Sequence, residues 1–357
     1  MLEEEWLSIG YKNGLIESVK ECDWVLFETV YKAWFMTKIN RIRPQSVDRI
    51  EVTYNKYYAH SEIVTRPVHQ IDETVIYKFL NDIIVRYGNI TKKEFMRIYQ
   101  IINNVMIYAN DTSTGYAKCV NWSVVKRYIA VDNILPVGNK EICVALSDRK
   151  ILFNAVLFDM IYPQKHSASL CIVLNFYLGL RIGELASLRW QDVNLEERYI
   201  YVHTTETKAF ERDANGCRTD NINYVVQDRT KTVHSVRKVP LINESVYVLQ
   251  QLRQWHDKNK YDSDFLAYDG ADTILSKSID RTLRRLCELC DIPKFSSHKI
   301  RKTFASELHR NGVATKMISE IMGHAEMRTT ERSYIISYDD TLQTVRNAMQ
   351  KGLTISA

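Results

Sequence analysis

One short break constrains the architecture of this chain more than any other feature. Ile134-Leu135-Pro136-Val137-Gly138-Asn139 sets a proline and a glycine between two long stretches of helical periodicity, and neither residue type continues a regular element easily. At 357 residues the chain exceeds one ordinary domain. The break therefore reads as a linker over 134–139. It separates a unit over 22–133 from a larger one over 140–357, with residues 1–21 as a short N-terminal extension.

The first unit reads as all-α. Trp24, Phe27, Val30, Tyr31 and Trp34 recur at helical spacing, in a run over 23–42 that leads into Lys38, Arg41 and Arg43 and stops at Pro44. Further helices are expected over 46–60 and 74–87, then from a Thr91 cap to 110, and over 121–130. The second unit mixes periods. Helical patterns cover 147–162, 167–178 and 181–190, while 199–202, 223–226 and 237–241 alternate as strands. Asn243 is expected to cap a helix running to 257. Helical patterns then cover 275–290, 297–310, closed by Asn311-Gly312, and 315–322, closed by Gly323. A short helix carrying Tyr334 and a final one over 342–349 complete the unit. The fold class is α+β, mainly helical, with a small antiparallel sheet. Residues 204–220 are polar, with a turn signal at Asn215-Gly216, and form a longer connection than usual. They read either as a surface excursion or extended hairpin, or as a DNA-facing element.

Composition narrows the compartment and the partners. A net charge of +5 leans toward polyanionic partners. Seven scattered cysteines fit a reducing compartment better than a disulfide framework. Cys287 and Cys290 form a C-x-x-C without a second ligand pair, and read as cysteines packed on one helix face. The acidic start Met1-Leu2-Glu3-Glu4-Glu5 is not the n-region of a signal peptide. No apolar run approaches the roughly 20 residues of a membrane span, so a soluble cytoplasmic protein is expected.

Four phrases carry chemistry together: LGLRIGELASLRW from Leu178, TKTVHSVRKVPL from Thr230, SHKIRKTFASELH from Ser297 and MGHAEMRTTERSY from Met322. Arg181 and Glu184 are three apart, as are His298 and Arg301, so each pair shares a helix side. Two arginines, a lysine and two histidines suit a phosphodiester under attack. Its non-bridging oxygens gather negative charge that guanidinium forks match with paired hydrogen bonds. A tyrosine hydroxyl can supply the nucleophile. No carboxylate cluster for Mg²⁺ and no Gly-x-x-x-x-Gly-Lys loop is visible, so metal- and ATP-independent cleavage is expected.

In their order and spacing these phrases resemble the signature of the tyrosine recombinases, the phage integrase family, across roughly residues 147–353. The resemblance implies a helical core-binding domain and a mixed α/β catalytic domain that grip DNA as a C-shaped clamp. It implies that Arg181 and Arg301 hold the scissile phosphate, with Glu184 supporting the first arginine. Lys231 protonates the leaving 5′ oxygen, His298 does acid/base work and His324 supports as a donor. Tyr334 attacks to leave a 3′-phosphotyrosine and a free 5′ hydroxyl, with no cofactor. Arg237 and Lys238 are basic alternatives to Lys231, and Tyr338 is the rival nucleophile. Lys302 stands where the family usually has a histidine.

Lys32, Lys38, Arg41, Arg43, Lys126 and Arg127 are candidate DNA contacts of the first unit. Partners implied are double-stranded attachment sites, a homo-tetramer on two duplexes and DNA-bending accessory proteins. The amphipathic segment with Leu342, Val345 and Met349 would dock on a neighbouring protomer. Only about twenty residues precede Cys22, too few for the arm-binding domain of many integrases. The chain either lacks that domain or begins inside a longer protein. A mobile-element integrase is the leading reading. A chromosome-dimer resolvase of the Xer type, a type IB topoisomerase, a non-catalytic DNA-binding relative and a metal-dependent nuclease are the alternatives.

Overall fold

The computed structural model describes residues 25–39, 41–111, 119–135, 143–158, 166–213, 216, 218–227, 236–271 and 273–324. The expected helices around Tyr334 and over 342–349 lie outside these residues. The chain divides into two compact units, Met1–Asn139 with Lys208–Asn223, and Lys140–Thr207 with Tyr224–Ala357.

The first unit is built on five helices among the described residues: α1 (Phe27–Ile39), α2 (Pro44–Tyr57), α3 (Glu73–Tyr87), α4 (Lys92–Ala109) and α5 (Trp122–Arg127). Pro44 ends the first apolar run and also opens α2, where its missing N–H is not needed by the helix. Asp72, Thr91 and Asn121 cap α3, α4 and α5 by accepting from Val75, Glu94 and Ser123 backbone N–H groups. The core is unusually aromatic. Tyr31 and Tyr54 stack with ring centroids 3.5 Å apart, and Tyr54 and Tyr58 stack at 5.6 Å. Tyr58 is fully buried, so its hydroxyl must find a partner inside, and it donates to the Ile98 carbonyl of α4 at 2.6 Å.

The polar stretch after residue 204 is an extended hairpin. Strands β3 (Thr205–Arg212) and β4 (Arg218–Gln227) pair with each other, and residues 208–223 belong to the first unit although their neighbours in sequence belong to the second. One side chain anchors this tip. The Arg212 guanidinium donates to Asp48 and Glu51 of α2, each at 2.8 Å, and to the Gly216 carbonyl at 2.8 Å, and it lies over the Phe35 ring. Gly216 takes the left-handed φ of +75° that the turn requires.

The second unit surrounds one apolar helix. In α7 (His166–Leu178) every side chain but Tyr177 is buried, and a helix apolar all round belongs inside. It packs against α6 (Leu146–Leu157), α9 (Asn243–Lys258), α10 (Ser276–Leu289) and α11 (Ser297–Arg310). An antiparallel sheet in the order β1 (Val193–Asn194), β2 (Tyr199–Val202), β5 (Arg237–Pro240) lies beside them. The helix expected over 181–190 is only α8 (Ile182–Ala186). It stops because the chain turns to bond across: Trp190 N–H donates to the Asp264 carbonyl at 2.8 Å, and Leu266 N–H to the Leu188 carbonyl at 3.0 Å. Asn243 is the first residue of α9, not its cap. The cap position is Ile242, whose N–H donates to the Ser245 hydroxyl at 2.9 Å. Cys287 is buried in this core.

Replacing Arg212 with alanine leaves Asp48 and Glu51, both mostly covered, without their shared cation. The expected loss is about 2 kcal/mol of unfolding free energy, below the full cost of a deeply buried pair because both carboxylates retain some solvent. Chemical denaturation of the Arg212→Ala protein measures it, and a change under about 0.5 kcal/mol, the size of an ordinary surface substitution, would remove the anchor from this account.

Candidate active site

The phrase Leu178-Gly179-Leu180-Arg181 is a built turn. Asn175, fully buried near the end of α7, accepts from Leu180 N–H at 2.7 Å and donates to the Leu180 carbonyl at 3.3 Å. That closes the helix and sends the chain back. Gly179 sits at φ +61°, and a Cβ there would lie 2.2 Å from the Phe304 ring, so both conformation and space demand glycine. The turn delivers Arg181 to the N-terminus of α8, where its N–H donates to Glu184 at 2.9 Å.

Glu184 is the hub of the site. Its carboxylate accepts from Arg181 at 2.8 Å and from Arg237 of β5 at 2.9 and 3.3 Å, and Arg301 of α11 stands 3.8 Å away. Burial pulls the Glu184 pKa up. The hydrogen-bonded Arg237 and the charges of Arg181 and Arg301 overcome that and hold it at about 2. Three guanidiniums around one carboxylate leave a net positive cluster. The side chains of Glu184, Arg237 and Arg301 are 2%, 6% and 2% exposed, while that of Arg181 is 39% exposed. Solvent, and anything arriving from it, meets Arg181 first.

The same three arginines hold the end of α12 (Thr315–Met322). Arg237 donates to the Ile321 carbonyl, Arg301 to that of Met322, and Arg181 to that of Gly323 at 2.8 Å. A helix C-terminus leaves its last carbonyls unpaired and carries partial negative charge, so cations are favoured there. Gly323 ends the helix in the left-handed conformation at φ +62° and places His324 beside Arg301. Nε2 of His324 lies 3.2 Å from the Arg301 guanidinium. A guanidinium only donates, so Nε2 accepts and the neutral ring carries its proton on Nδ1. Burial, then Arg301, Arg181 and Arg237, lower the His324 pKa to about 4. His298, one turn before Arg301 on α11, reaches solvent. Partial desolvation and the Lys302, Arg301 and Arg181 charges lower its pKa as well.

Of the residues expected from the sequence, Arg181, Glu184, Arg301 and His324 gather here, with His298 at the edge. Lys231, Tyr334 and the rival Tyr338 lie outside the described residues. The two basic alternatives to Lys231 separate by strand alternation. Arg237 points inward to Glu184. Lys238 points outward over the Tyr199 ring at 3.9 Å, toward Glu197. Sequence reading missed the place of Arg237 in the cluster, because two adjacent basic residues leave the inward one undecided until the pleat of the strand is known.

In the first unit, Lys32 pairs with Glu28 at 2.8 Å and Lys38 lies over Trp34, while Arg41, Arg43, Lys126 and Arg127 are exposed. Sequence reading passed over a second basic set. Arg49 of α2 and Lys92, Lys93 and Arg97 of α4 line one groove of about 660 Å³, together with Gln100 and Asn104.

Residues 154–340 match the Phage integrase family. The chain therefore belongs to that family, the tyrosine recombinases, enzymes that cleave and rejoin DNA. A tyrosine recombinase XerC-like protein of Caldanaerobacter subterraneus subsp. tengcongensis is 24% identical over 351 residues, 93% of this chain and 83% of that one. Transposase A from transposon Tn554 of Staphylococcus aureus is 28% identical over 188 residues, 52% of this chain and 46% of its own length. Among solved structures, the Tn1549 transposon integrase in complex with transposon right end DNA is similar in fold. Its TM-score is 0.67 at 16% identity, covering 92% of this chain and 100% of that one.

The depressed histidine pKa values fix a direction for acid sensitivity. In the unfolded chain His324 binds a proton near pH 6.5, but in the folded protein only near pH 4. Stability is thus lost as pH falls from about 6.5 toward 4, with His298, His166 and His256 acting in the same sense. The thermal midpoint is expected to drop between pH 7.5 and pH 5, and less steeply in His324→Gln. An unchanged midpoint across that range would contradict the burial of His166 and His256 and the partial burial of His324.

Proposed function

We propose that the chain performs site-specific recombination through a 3′-phosphotyrosine on Tyr334, as the integrase of a mobile element. The observation that carries this reading is the preorganised cluster of Arg181 and Arg301 around Glu184, with His324 beside Arg301. It offers positive charge and N–H donors where a phosphodiester would develop negative charge. Arg181 and Arg301 clamp the scissile phosphate, Arg181 from the solvent side. The Tyr334 hydroxyl passes its proton to His298 as its oxygen bonds to phosphorus. The bond from phosphorus to the 5′ oxygen breaks, and Lys231 supplies that oxygen with a proton. His324, neutral at pH 7, supports the phosphate with its Nδ1 proton. The ester is exchanged rather than hydrolysed, so rejoining runs the same steps backward and needs no cofactor.

Partners follow from the chemistry. Exchange between two duplexes requires four strand cleavages, which fits a homo-tetramer on double-stranded attachment sites, with DNA-bending proteins as accessories and the cytoplasm as the place of action. A second reading, resolution of chromosome dimers, is favoured by the XerC-like relative that aligns with 93% of the chain. The DNA site separates the two, lying at a chromosomal dimer-resolution locus in one case and at the ends of a mobile element in the other.

Covalent trapping tests the reaction. With a nicked suicide substrate built from the flanking attachment sequence, in EDTA, the wild-type protein is expected to form a protein–DNA adduct and Tyr334→Phe none. Tyr338→Phe should retain it. An adduct lost only in Tyr338→Phe would move the nucleophile by four residues, and an adduct absent from every protein would sink the enzymatic reading.

The basic groove of α2 and α4 adds a sequence-independent grip to the Lys32, Lys38, Arg41, Arg43, Lys126 and Arg127 set. Removing Lys93 and Arg97 together is expected to weaken binding to all DNA sequences alike, and to reduce the slope of log affinity against log salt by roughly 2. Fluorescence anisotropy at several salt concentrations measures the slope, and an unchanged slope would take the groove out of the interface.

A further inference from the structure

We propose that Arg237 is a positioning residue of the strand-transfer site, one that keeps Arg181 and Arg301 available to the phosphate. It rests on the reading of Arg181 and Arg301 as the phosphate clamp. The inference comes from three placements. Arg237 takes both oxygens of Glu184, at 2.9 and 3.3 Å, leaving Arg181 a single bond from its NH1 and Arg301 at 3.8 Å. Its Nε donates to the Ile321 carbonyl, the first of the three at the end of α12. It sits on β5, paired directly across from Val202 of β2, so the sheet fixes its backbone.

A carboxylate offers about four lone-pair sites, and guanidinium pairs with it best through two parallel bonds. Without Arg237, Glu184 would be free to take such a pair from a clamp arginine, and a fork committed to a buried carboxylate is not free for a phosphate. Arg301 is the nearer to capture in one sense, being equally buried, and Arg181 in another, being already bonded. Arg237 satisfies the carboxylate while itself buried, in contrast to the solvent-open Arg181. Its second bond holds the α12 end, and with it the backbone that leads into His324. Arg237 itself has no direct task on the phosphate, because its fork is turned to Glu184 and its Nε to Ile321. A guanidinium also does not release protons near neutral pH, so it does not substitute for Lys231 as the acid.

The proposal separates rate from affinity. Wild type, Arg237→Gln and Arg237→Lys are compared for thermal midpoint, for dissociation constant on the same suicide DNA, and for single-turnover adduct formation at saturating protein. For Arg237→Gln the adduct rate is expected to fall about 100-fold, the scale of a catalytic group misplaced by about an ångström, with affinity within about threefold. Arg237→Lys keeps the charge but not the fork, and is expected to recover about tenfold of that loss.

A wild-type rate in Arg237→Gln overturns the proposal, as does a loss of affinity that matches the loss of rate, which is what general damage to the fold would give. Should Arg237→Gln melt below the assay temperature, Arg237→Lys decides. A folded lysine variant at more than half the wild-type rate overturns the proposal, and one slowed about tenfold at unchanged affinity supports it. An adduct absent from wild type itself would overturn the proposal together with the reading it rests on.

Discussion

The arginine cluster of the second unit depends on the buried carboxylate of Glu184. Three guanidiniums would not share a pocket without it, because like charges in a poorly solvated site repel strongly. Glu184 lets Arg181, Arg237 and Arg301 converge from α8, β5 and α11, three elements far apart in sequence. The convergence in turn determines where α12 can end. Its last carbonyls face the arginines, so the helix terminus carrying partial negative charge is satisfied by the cations that Glu184 alone does not neutralise. Carboxylate, arginines and helix end therefore form one electrostatic unit. Disturbing any member alters the partners available to the others.

Much of this arrangement was legible in the sequence, and the legible part has a common cause. Where chemistry needs a residue at a fixed short spacing, the spacing is visible. Arg181 and Glu184 are three apart because the first opens α8 and the second must reach back to its N–H. Gly179 precedes them because the turn needs a left-handed residue without a Cβ. His298 and Arg301 share a helix for a similar reason, although one faces solvent and the other is buried. The helix after Arg181 is shorter than its pattern suggests, since the apolar spacing through Leu188 continues after the backbone has turned to bond Leu266.

What was not legible depends on long-range placement. Arg237 reads as one of two adjacent basic residues, and only the pleat of β5 decides that it turns inward while Lys238 turns outward. Arg49 and Arg97 are 48 positions apart in sequence, on two helices, and nothing local announces that they line one groove. The hairpin tip is a similar case. Arg212 lies more than 160 residues from Asp48 and Glu51, so the membership of residues 208–223 in the first unit follows from tertiary ion pairs, not from a composition change.

The cluster also sets stability against function in a definite way. A buried ion pair is weak evidence of stability, because desolvating both charges consumes most of what their attraction returns. Here three cations are buried or half-buried with one anion, so the excess charge is a burden that the fold offsets with bonds to backbone carbonyls at Gly179, Ile321, Met322 and Gly323. Apolar residues of similar volume would pack more favourably at Arg237 and Glu184 taken together. Such an exchange would leave Arg181 and Arg301 without a shared anion, so that they repel each other and relax apart. On the function proposed above, the repulsion of like charges held close in the free protein is what an arriving phosphodiester would relieve. It would relieve most when negative charge on that phosphate is greatest, which is the condition for favouring the transition state over the bound substrate.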